Sequence, residues 1–219
     1  MWSPEVINML GMGVLESLYM TLLSSLIAYL IGLPMGVLLV VTDREGIAPL
    51  VPVNKVLGVV VNLLRSVPFL ILAITVMPFT RLVVGTTIGP TAMVVPLIIA
   101  SAPYIARLVE SSLQEVDKGV VEAAQSMGAT PFQIICKVLL PEARPSLIVG
   151  GAIAVTTILS YSAMAGIFGG GGLGDIAIRY GYYRYETEIM FITVAILVLI
   201  VQVLQEAGFK WMKRADKRL

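Results

Sequence analysis

The sequence VEAAQSMG at positions 121–128, followed by LLP at positions 139–141, decides the fold. It is a polar segment in a chain whose other segments are long and apolar. The pattern predicts two short helices joined by a tight turn, and each is too short to cross a bilayer. In a membrane protein, a structured hairpin of this kind on one side indicates a site for a partner protein.

The composition around this segment predicts an all-α integral membrane protein. Apolar residues make up 58% of the 219 residues and charged residues only 13%, whereas a soluble domain is nearer half apolar and a quarter charged. The apolar runs are long enough for membrane spans. Five spans are predicted, at residues 18–41, 56–79 with Pro68 inside, somewhere within 82–106, 147–168 and 189–208. Glycines and prolines blur the ends of the third.

The distribution of basic residues predicts the orientation, because Lys and Arg are enriched on the cytoplasmic side. With the N-terminus outside and the C-terminus inside, only Arg81, Arg179 and Arg184 face outward, and Arg65 is unassigned. The residues predicted to face inward are Arg44, Lys55, Arg107, Lys118, Lys137, Arg144, Lys210, Lys213, Arg214, Lys217 and Arg218. No Lys or Arg precedes the first apolar run, so we expect the first span to be retained.

Helix-capping residues define the two arms of the cytoplasmic hairpin. Asp117 is placed to cap a helix over residues 118–127, and Gly128 supplies its left-handed end. Thr130 then caps a second helix, with Pro131 at its first position and Gln133 completing a capping box.

The pattern alone leaves two interpretations of this hairpin open. It could be an amphipathic element lying on the membrane or on its own spans, or it could dock a partner. Small residues in the first arm, Ala123 and Ala124, permit close approach of another surface. The second arm ends near Pro141 and carries Phe132, Ile135, Val138 and Leu139. The lone cysteine, Cys136, lies in this cytosolic segment, so we expect a reduced thiol.

The end of the fourth span is rich in small and polar residues. Its sequence YSAMAG at 161–166 follows Ser160 and leads into four glycines at 169–172. Small residues and hydroxyls suit close helix packing, which is one interpretation. The other is that this helix lines a pathway, with hydroxyls from Ser160 and Ser162 and a flexible apolar plug from Met164. The glycines predict a helix end followed by an adjustable segment.

Two arginines near the inner ends of spans stand out. Arg65 is either an interface anchor or a member of an ion pair or pathway, since a charge at that depth is costly unless it reaches water or a partner. Arg107 and Glu110 are three residues apart on a predicted helix, so they should pair locally.

The hairpin resembles the EAA loop of ABC importer permeases. The resemblance rests on Glu122-Ala123-Ala124, Gly128, and Leu139 or Leu140 before Pro141, with Val138 where the family usually has Ile. It implies that the first arm is a coupling helix seated in a groove of an ATPase subunit. The residues to which it assigns this coupling role are Glu122, Ala123, Ala124, Gly128 and Pro141.

The whole chain resembles the methionine ABC importer permease family. The further segments that carry the resemblance are RSVPF at 65–69, YSAMAG at 161–166 and GGGLG at 170–174. It implies a type I importer fold in one domain, residues 1–219, with the coupling loop at 117–141. The expected pathway residues are Ser160, Tyr161, Ser162 and Met164.

The same resemblance implies partners, location and substrate. We expect a homodimer in the bacterial inner membrane with two ATPase subunits, an external binding lipoprotein and membrane lipid, and no nucleic acid. The substrate would be methionine in both L and D forms, moved by alternating access. Another small amino acid or related solute is the alternative.

Other classes of function fit the residues less well. The chain has no Gly-rich sequence ending in Gly-Lys-Ser or Gly-Lys-Thr, so ATP must bind to a separate subunit. It has no histidine, and its acids are scattered, so we expect no catalytic residues and no metal ligands. A membrane-embedded enzyme and an ATP-independent carrier or channel are therefore the weaker alternatives.

Overall fold

The computed structural model describes residues 3–215, which are helical or in turns, with no strand among them. Met1, Trp2 and residues 216–219 lie outside the described residues, and so do Lys217 and Arg218 of the predicted inner tail. The helices are α1 (Pro4–Val41), α2 (Val51–Ser66), α3 (Phe69–Val84), α4 (Pro90–Gln114), α5 (Lys118–Ser126), α6 (Pro131–Ile134), α7 (Leu140–Glu142), α8 (Arg144–Ala165), α9 (Gly172–Ile176) and α10 (Thr187–Ala215). Two π-helical turns, Ile135–Leu139 and Ala177–Tyr182, and a 3-10 turn, Gly166–Phe168, link some of them.

Four helices within residues 3–215 are long and apolar enough to cross a membrane, namely α1, α4, α8 with its 3-10 turn, and α10. A bent pair, α2 and α3, brings the total to five if the pair counts as one span. The first span starts well before the predicted residue 18. Its first turn is capped by Ser3, whose hydroxyl accepts a hydrogen bond from the Val6 N–H at 3.4 Å.

The second span is broken where the sequence predicted one helix with Pro68 inside it. α2 ends at Ser66 and α3 begins at Phe69, and the two helices are bent by 109°. Pro68 has no N–H to donate, and it disfavours helical geometry at the residue before it. Val67 accordingly has φ −82° and ψ 124°, which is extended backbone.

The third span, α4, begins at Pro90, inside the predicted range of residues 82–106, and continues beyond that range to Gln114. Residues 82–84 belong to α3, which ends at Gly85 with φ +85°. Gly89, with φ +96°, then leads into Pro90, the first residue of α4. These two left-handed glycines turn the chain between the helices, because residues with a Cβ rarely adopt such backbone angles.

α1 and α4 form the centre of the core and run in the same direction. Tyr19 of α1 lies against Thr91 at the start of α4, and Gly36, farther along α1, lies against Ala106, farther along α4. A Cβ at Gly36 would meet the Ala106 carbonyl oxygen at 2.5 Å, so the helices approach too closely for any side chain there. Because α1 and α4 are parallel, the residues between them must return to the starting side, which α2 and α3 do as one broken span.

Candidate functional site: the cytoplasmic hairpin and the α8 groove

The first arm of the hairpin has the caps that its sequence predicts. Asp117 Oδ1 accepts a hydrogen bond from the Gly119 N–H at 2.7 Å. At the other end, α5 stops at Ser126, one residue before the prediction, and Gly128 has φ +78°. The Gly128 N–H donates to the Gln125 carbonyl oxygen at 2.9 Å and the Ala129 N–H to that of Ala124 at 3.1 Å. This pair of bonds is the Schellman arrangement that satisfies the last carbonyls of a helix.

The second arm starts as predicted and then departs from regular α-helix. Thr130 and Gln133 form the capping box, with the Thr130 N–H donating to Gln133 Oε1 at 2.9 Å and the Gln133 N–H donating to Thr130 Oγ1 at 3.4 Å. Four α-helical residues follow, then the π-helical turn Ile135–Leu139, then α7. The arm ends at Glu142, next to the predicted Pro141.

The predicted coupling residues divide between the protein's main core and the surface of the hairpin. Ala124 is buried and packs in the core with Ile134 and Leu139 of the second arm. Glu122, Ala123, Gly128 and Pro141 are exposed. Buried Ala124 packs the first arm against the second, and the other four predicted coupling residues lie on the surface.

Three large apolar side chains that the sequence argument did not assign to a partner are also exposed here. Met127 is 81% exposed, Phe132 73% and Val120 44%. Val120 and Ala123 share one side of α5 by helical spacing, and Met127 follows directly after the last residue of the helix. The spacing of these three residues was the signal in the sequence. Phe132, placed with the apolar residues of the second arm, points away from the core. We call Val120, Ala123, Met127 and Phe132 the hairpin's apolar face.

The predicted pathway residues fall on three sides of α8. Ser160 and Met164 are exposed and line a groove of about 420 Å³ together with Leu197 and Val201 of α10. Tyr161 is half-buried, and its ring is stacked on that of Phe69 with centroids 4.8 Å apart. The structure therefore brings Ser160 and Met164 together in one groove.

Ser162 lies outside that groove. It is buried, its hydroxyl donates to the Leu159 carbonyl oxygen at 2.8 Å, and it lies 3.5 Å from Thr21 Oγ1 of α1. These contacts match the close-packing interpretation for this residue.

The glycine-rich segment after α8 is packed, where glycine content alone predicted an adjustable segment. Gly169, Gly171 and Gly172 have positive φ, and they turn the chain so that α9 lies on α1. There Glu16 Oε2 accepts a hydrogen bond from the Gly172 N–H at 2.6 Å, and Ser17 Oγ accepts one from the Leu173 N–H at 2.9 Å. Glu16 was not singled out from the sequence, although a carboxylate in a largely apolar helix is itself a signal.

The two arginines have different surroundings. Arg107 pairs with Glu110 as predicted, and its guanidinium also reaches α2. Arg65 is exposed at the end of α2, and it forms no ion pair within residues 3–215. The interface-anchor interpretation of Arg65 fits this position.

Residues 30–214 match the model of one protein family, described as the inner membrane component of binding-protein-dependent transport systems. The chain belongs to this family. It is thus an integral inner-membrane transport component, and this assignment accounts for its apolar helices.

Members of this transport family with high identity include two probable D-methionine transport system permease proteins. The one from Vibrio cholerae is 52% identical over 203 residues, covering 93% of this chain and 90% of that protein. The one from Pasteurella multocida is 46% identical over 99% of this chain and 100% of that protein. A chain of the MetNI methionine ABC transporter, solved in inward-facing conformations, is 43% identical with a TM-score of 0.97, covering 99% of this chain and 100% of that chain. The fold is therefore that of a type I ABC importer permease.

Proposed function

We propose that this chain is the permease subunit of an ATP-driven methionine importer, working as a homodimer with two ATPase subunits and an external binding lipoprotein. The observation that carries the proposal is the hairpin's apolar face, joined to the close likeness to methionine transport permeases. Import of both the D and L forms by alternating access is part of the proposal.

The hairpin supports docking of an ATPase. Ala124, Ile134 and Leu139 pack the hairpin into the main apolar core of the protein, and the side chains of the apolar face lie outside that core. Clustered exposed apolar side chains rimmed by polar residues are typical of protein interaction sites. Ala123 is exposed and has a short side chain, so another surface can approach the first arm closely.

The groove on α8 supports a pathway shared by two copies. In one chain, Ser160 and Met164 are exposed between α8 and α10, and within residues 3–215 no polar side chain from another span lines this groove. A second copy related by a two-fold axis would close such a groove and present the same residues from the opposite side. The pathway would then open and close as the two copies rock.

Transport by a reconstituted complex tests the proposal. The chain would be purified with its ATPase and binding protein and placed in proteoliposomes containing ATP, and uptake of labelled D- and L-methionine would be measured. We expect ATP-dependent uptake that unlabelled methionine abolishes. Uptake of a different amino acid with no competition by methionine would favour the alternative substrate, and uptake without the ATPase would contradict the proposal.

Cross-linking tests the shared pathway. In a Cys136→Ser background, Met164→Cys should form a disulfide between copies in the resting state, and its yield should fall when the complex is trapped during ATP hydrolysis. The matched variant is Ser162→Cys, which is on the same helix but buried against α1 and should not link. Absence of any Met164→Cys cross-link, together with efficient linking by the exposed α1 variant Leu26→Cys, would place a different helix at the axis.

A further inference from the structure

Arg107 joins two helices near the predicted cytoplasmic side. One of its terminal nitrogens pairs with Glu110 on the same helix. The other donates to Asn62 Oδ1 at 2.8 Å and to the Gly58 carbonyl oxygen at 3.4 Å, both on α2. The side chains of Arg107 and Glu110 are 25% and 16% exposed, so much of this charge lies away from solvent. A guanidinium has five donors in a rigid fork, which lets it serve both helices together.

α2 has few other attachments to the rest of the chain. Only Val61 of its sixteen residues is buried. At its start, Asn54 Nδ2 donates to the Leu39 carbonyl oxygen at 2.6 Å and lies 3.3 Å from Thr42 Oγ1. Asn54 therefore ties α2 to α1, and Arg107 provides the polar tie to α4. Polar contacts of this kind hold helices together where lipid surrounds them.

The position of Arg107 connects the hairpin to the groove. α4 leads directly into the hairpin, with only residues 115–117 between it and α5. α2 leads through the break at Val67 and Pro68 to Phe69, whose ring is stacked on Tyr161 of α8. Tyr161 is one residue from Ser160, which lines the groove. α4 also packs directly on α8, where Ser146 Oγ donates to Ser112 Oγ at 3.1 Å. A displacement of α4 can thus reach α8 by two routes, and the one through α2 and α3 depends on Arg107.

We propose that Arg107 is a positioning residue that transmits movement of the hairpin, through Asn62 and the broken α2–α3 span, to α8. The inference rests on the proposed function, since it takes the hairpin as the site where the ATPase acts. To that function the inference adds a route through the protein by which ATP hydrolysis can move the residues of the pathway. Removal of the Arg107–Asn62 contact should uncouple hydrolysis from transport and leave docking intact.

The number of ATP molecules hydrolysed per methionine imported is the quantity to measure, in proteoliposomes containing the full complex. Asn62→Leu removes the side-chain acceptor on α2, leaves only the longer bond to the Gly58 carbonyl oxygen at 3.4 Å, and keeps the Arg107–Glu110 pair. We expect it to raise the ratio about fivefold, a change typical of single residues along a coupling network. Arg107→Lys keeps the charge but loses the fork, and should raise the ratio in the same direction.

Two further variants show whether the effect comes from loss of the Arg107–Asn62 contact or from general destabilisation of α2. Asn62→Asp keeps an acceptor at the same place and should retain the wild-type ratio. Lys55→Met removes an exposed cation from the same helix, away from Arg107, and should also leave the ratio unchanged.

The proposal is overturned if Asn62→Leu and Arg107→Lys keep the wild-type ratio, or if they lower hydrolysis and transport in equal proportion. If Asn62→Leu fails to assemble, Arg107→Lys decides alone by the same criterion. Failure of the proposed function would instead appear in the wild-type complex, which would import no methionine with its ATPase.

Discussion

The cytoplasmic hairpin (residues 117–142) and the glycine-rich turn after α8 (residues 166–176) are both short helical segments between spans, but they are stabilised by different kinds of contact. The hairpin is closed by local bonds, such as those of Thr130 with Gln133 and of Gly128 with Gln125, and its apolar face stays exposed. The turn after α8 is held by Glu16 and Ser17, which are 156 residues away in sequence, and Leu173 is fully buried. The hairpin keeps part of its apolar surface exposed, where a partner could bind, whereas the turn after α8 uses its surface within the chain.

The predicted orientation puts the hairpin on the cytoplasmic side of the membrane and the turn after α8 on the outer side. Thiol labelling gives an all-or-none test of this orientation. In a Cys136→Ser background, Arg184→Cys should react with an impermeant thiol reagent added outside intact cells. Lys213→Cys should react only after the membrane is permeabilised. The basis is the enrichment of Lys and Arg on the predicted inner side. The reverse pattern would put the hairpin outside, where no ATPase could reach it.

Packing of the turn should make it intolerant of small changes. A Cβ at Gly174 would overlap the backbone of Ala163, including its carbonyl oxygen, and backbone atoms cannot move aside cheaply. We expect Gly174→Ala to abolish stable expression or to lower the melting temperature in detergent by more than any other variant tested. The matched control is Gly11→Ala, since a Cβ at Gly11 meets nothing within 4 Å. Equal melting temperatures for both variants would contradict the close approach of α9 and α8.

Substitutions at two adjacent alanines of the hairpin should have different effects, one on ATPase docking and the other on folding. Ala123 is exposed, so Ala123→Trp should weaken ATPase binding by about tenfold, as expected when a bulky residue blocks the centre of an interface. Its melting temperature should be unchanged. Ala124 is buried, so Ala124→Trp should destabilise the hairpin by about 1–3 kcal/mol through overpacking. Binding would be measured by titration with the purified ATPase, and wild-type affinity for Ala123→Trp would favour the membrane-surface interpretation.

The smallest expected effect concerns the long-range cap of the turn. Glu16→Leu leaves the Gly172 N–H without its acceptor, which costs about 1–3 kcal/mol for a buried donor. Glu16→Gln keeps an oxygen that can accept this bond and should melt close to the wild type. The measurement is thermal unfolding in detergent. If Glu16→Leu melts at the wild-type temperature, the turn is held by the packing of Leu173 alone.

Local features of the sequence predicted the hairpin well. Asp117, Gly128, Thr130 and Gln133 form the caps assigned to them, because a cap depends on residues only a few positions apart. The pairing of Arg107 with Glu110 follows from the same short spacing. The apolar spans were predicted because length and hydropathy are also local properties.

The predictions from the sequence were wrong at places where one segment of the chain packs against another. The second span was predicted as one helix with Pro68 inside it, and the structure breaks it at Val67 and Pro68 with a bend of 109°. Four glycines predicted an adjustable segment, and the carboxylate of Glu16 made it a packed one. Ser162 was grouped with Ser160, but a helix turns about 100° per residue, so neighbours face different partners.

The sequence by itself determined that the chain is an all-helical membrane protein with a capped hairpin between its third and fourth spans. These properties depend on composition, on runs of apolar residues and on contacts within one helical turn. Only the tertiary structure decided that Ser160 and Met164 share a groove, that Phe69 stacks on Tyr161 and that Arg107 reaches Asn62. Such contacts join residues far apart in sequence, and they depend on how the spans cross and how closely they approach one another.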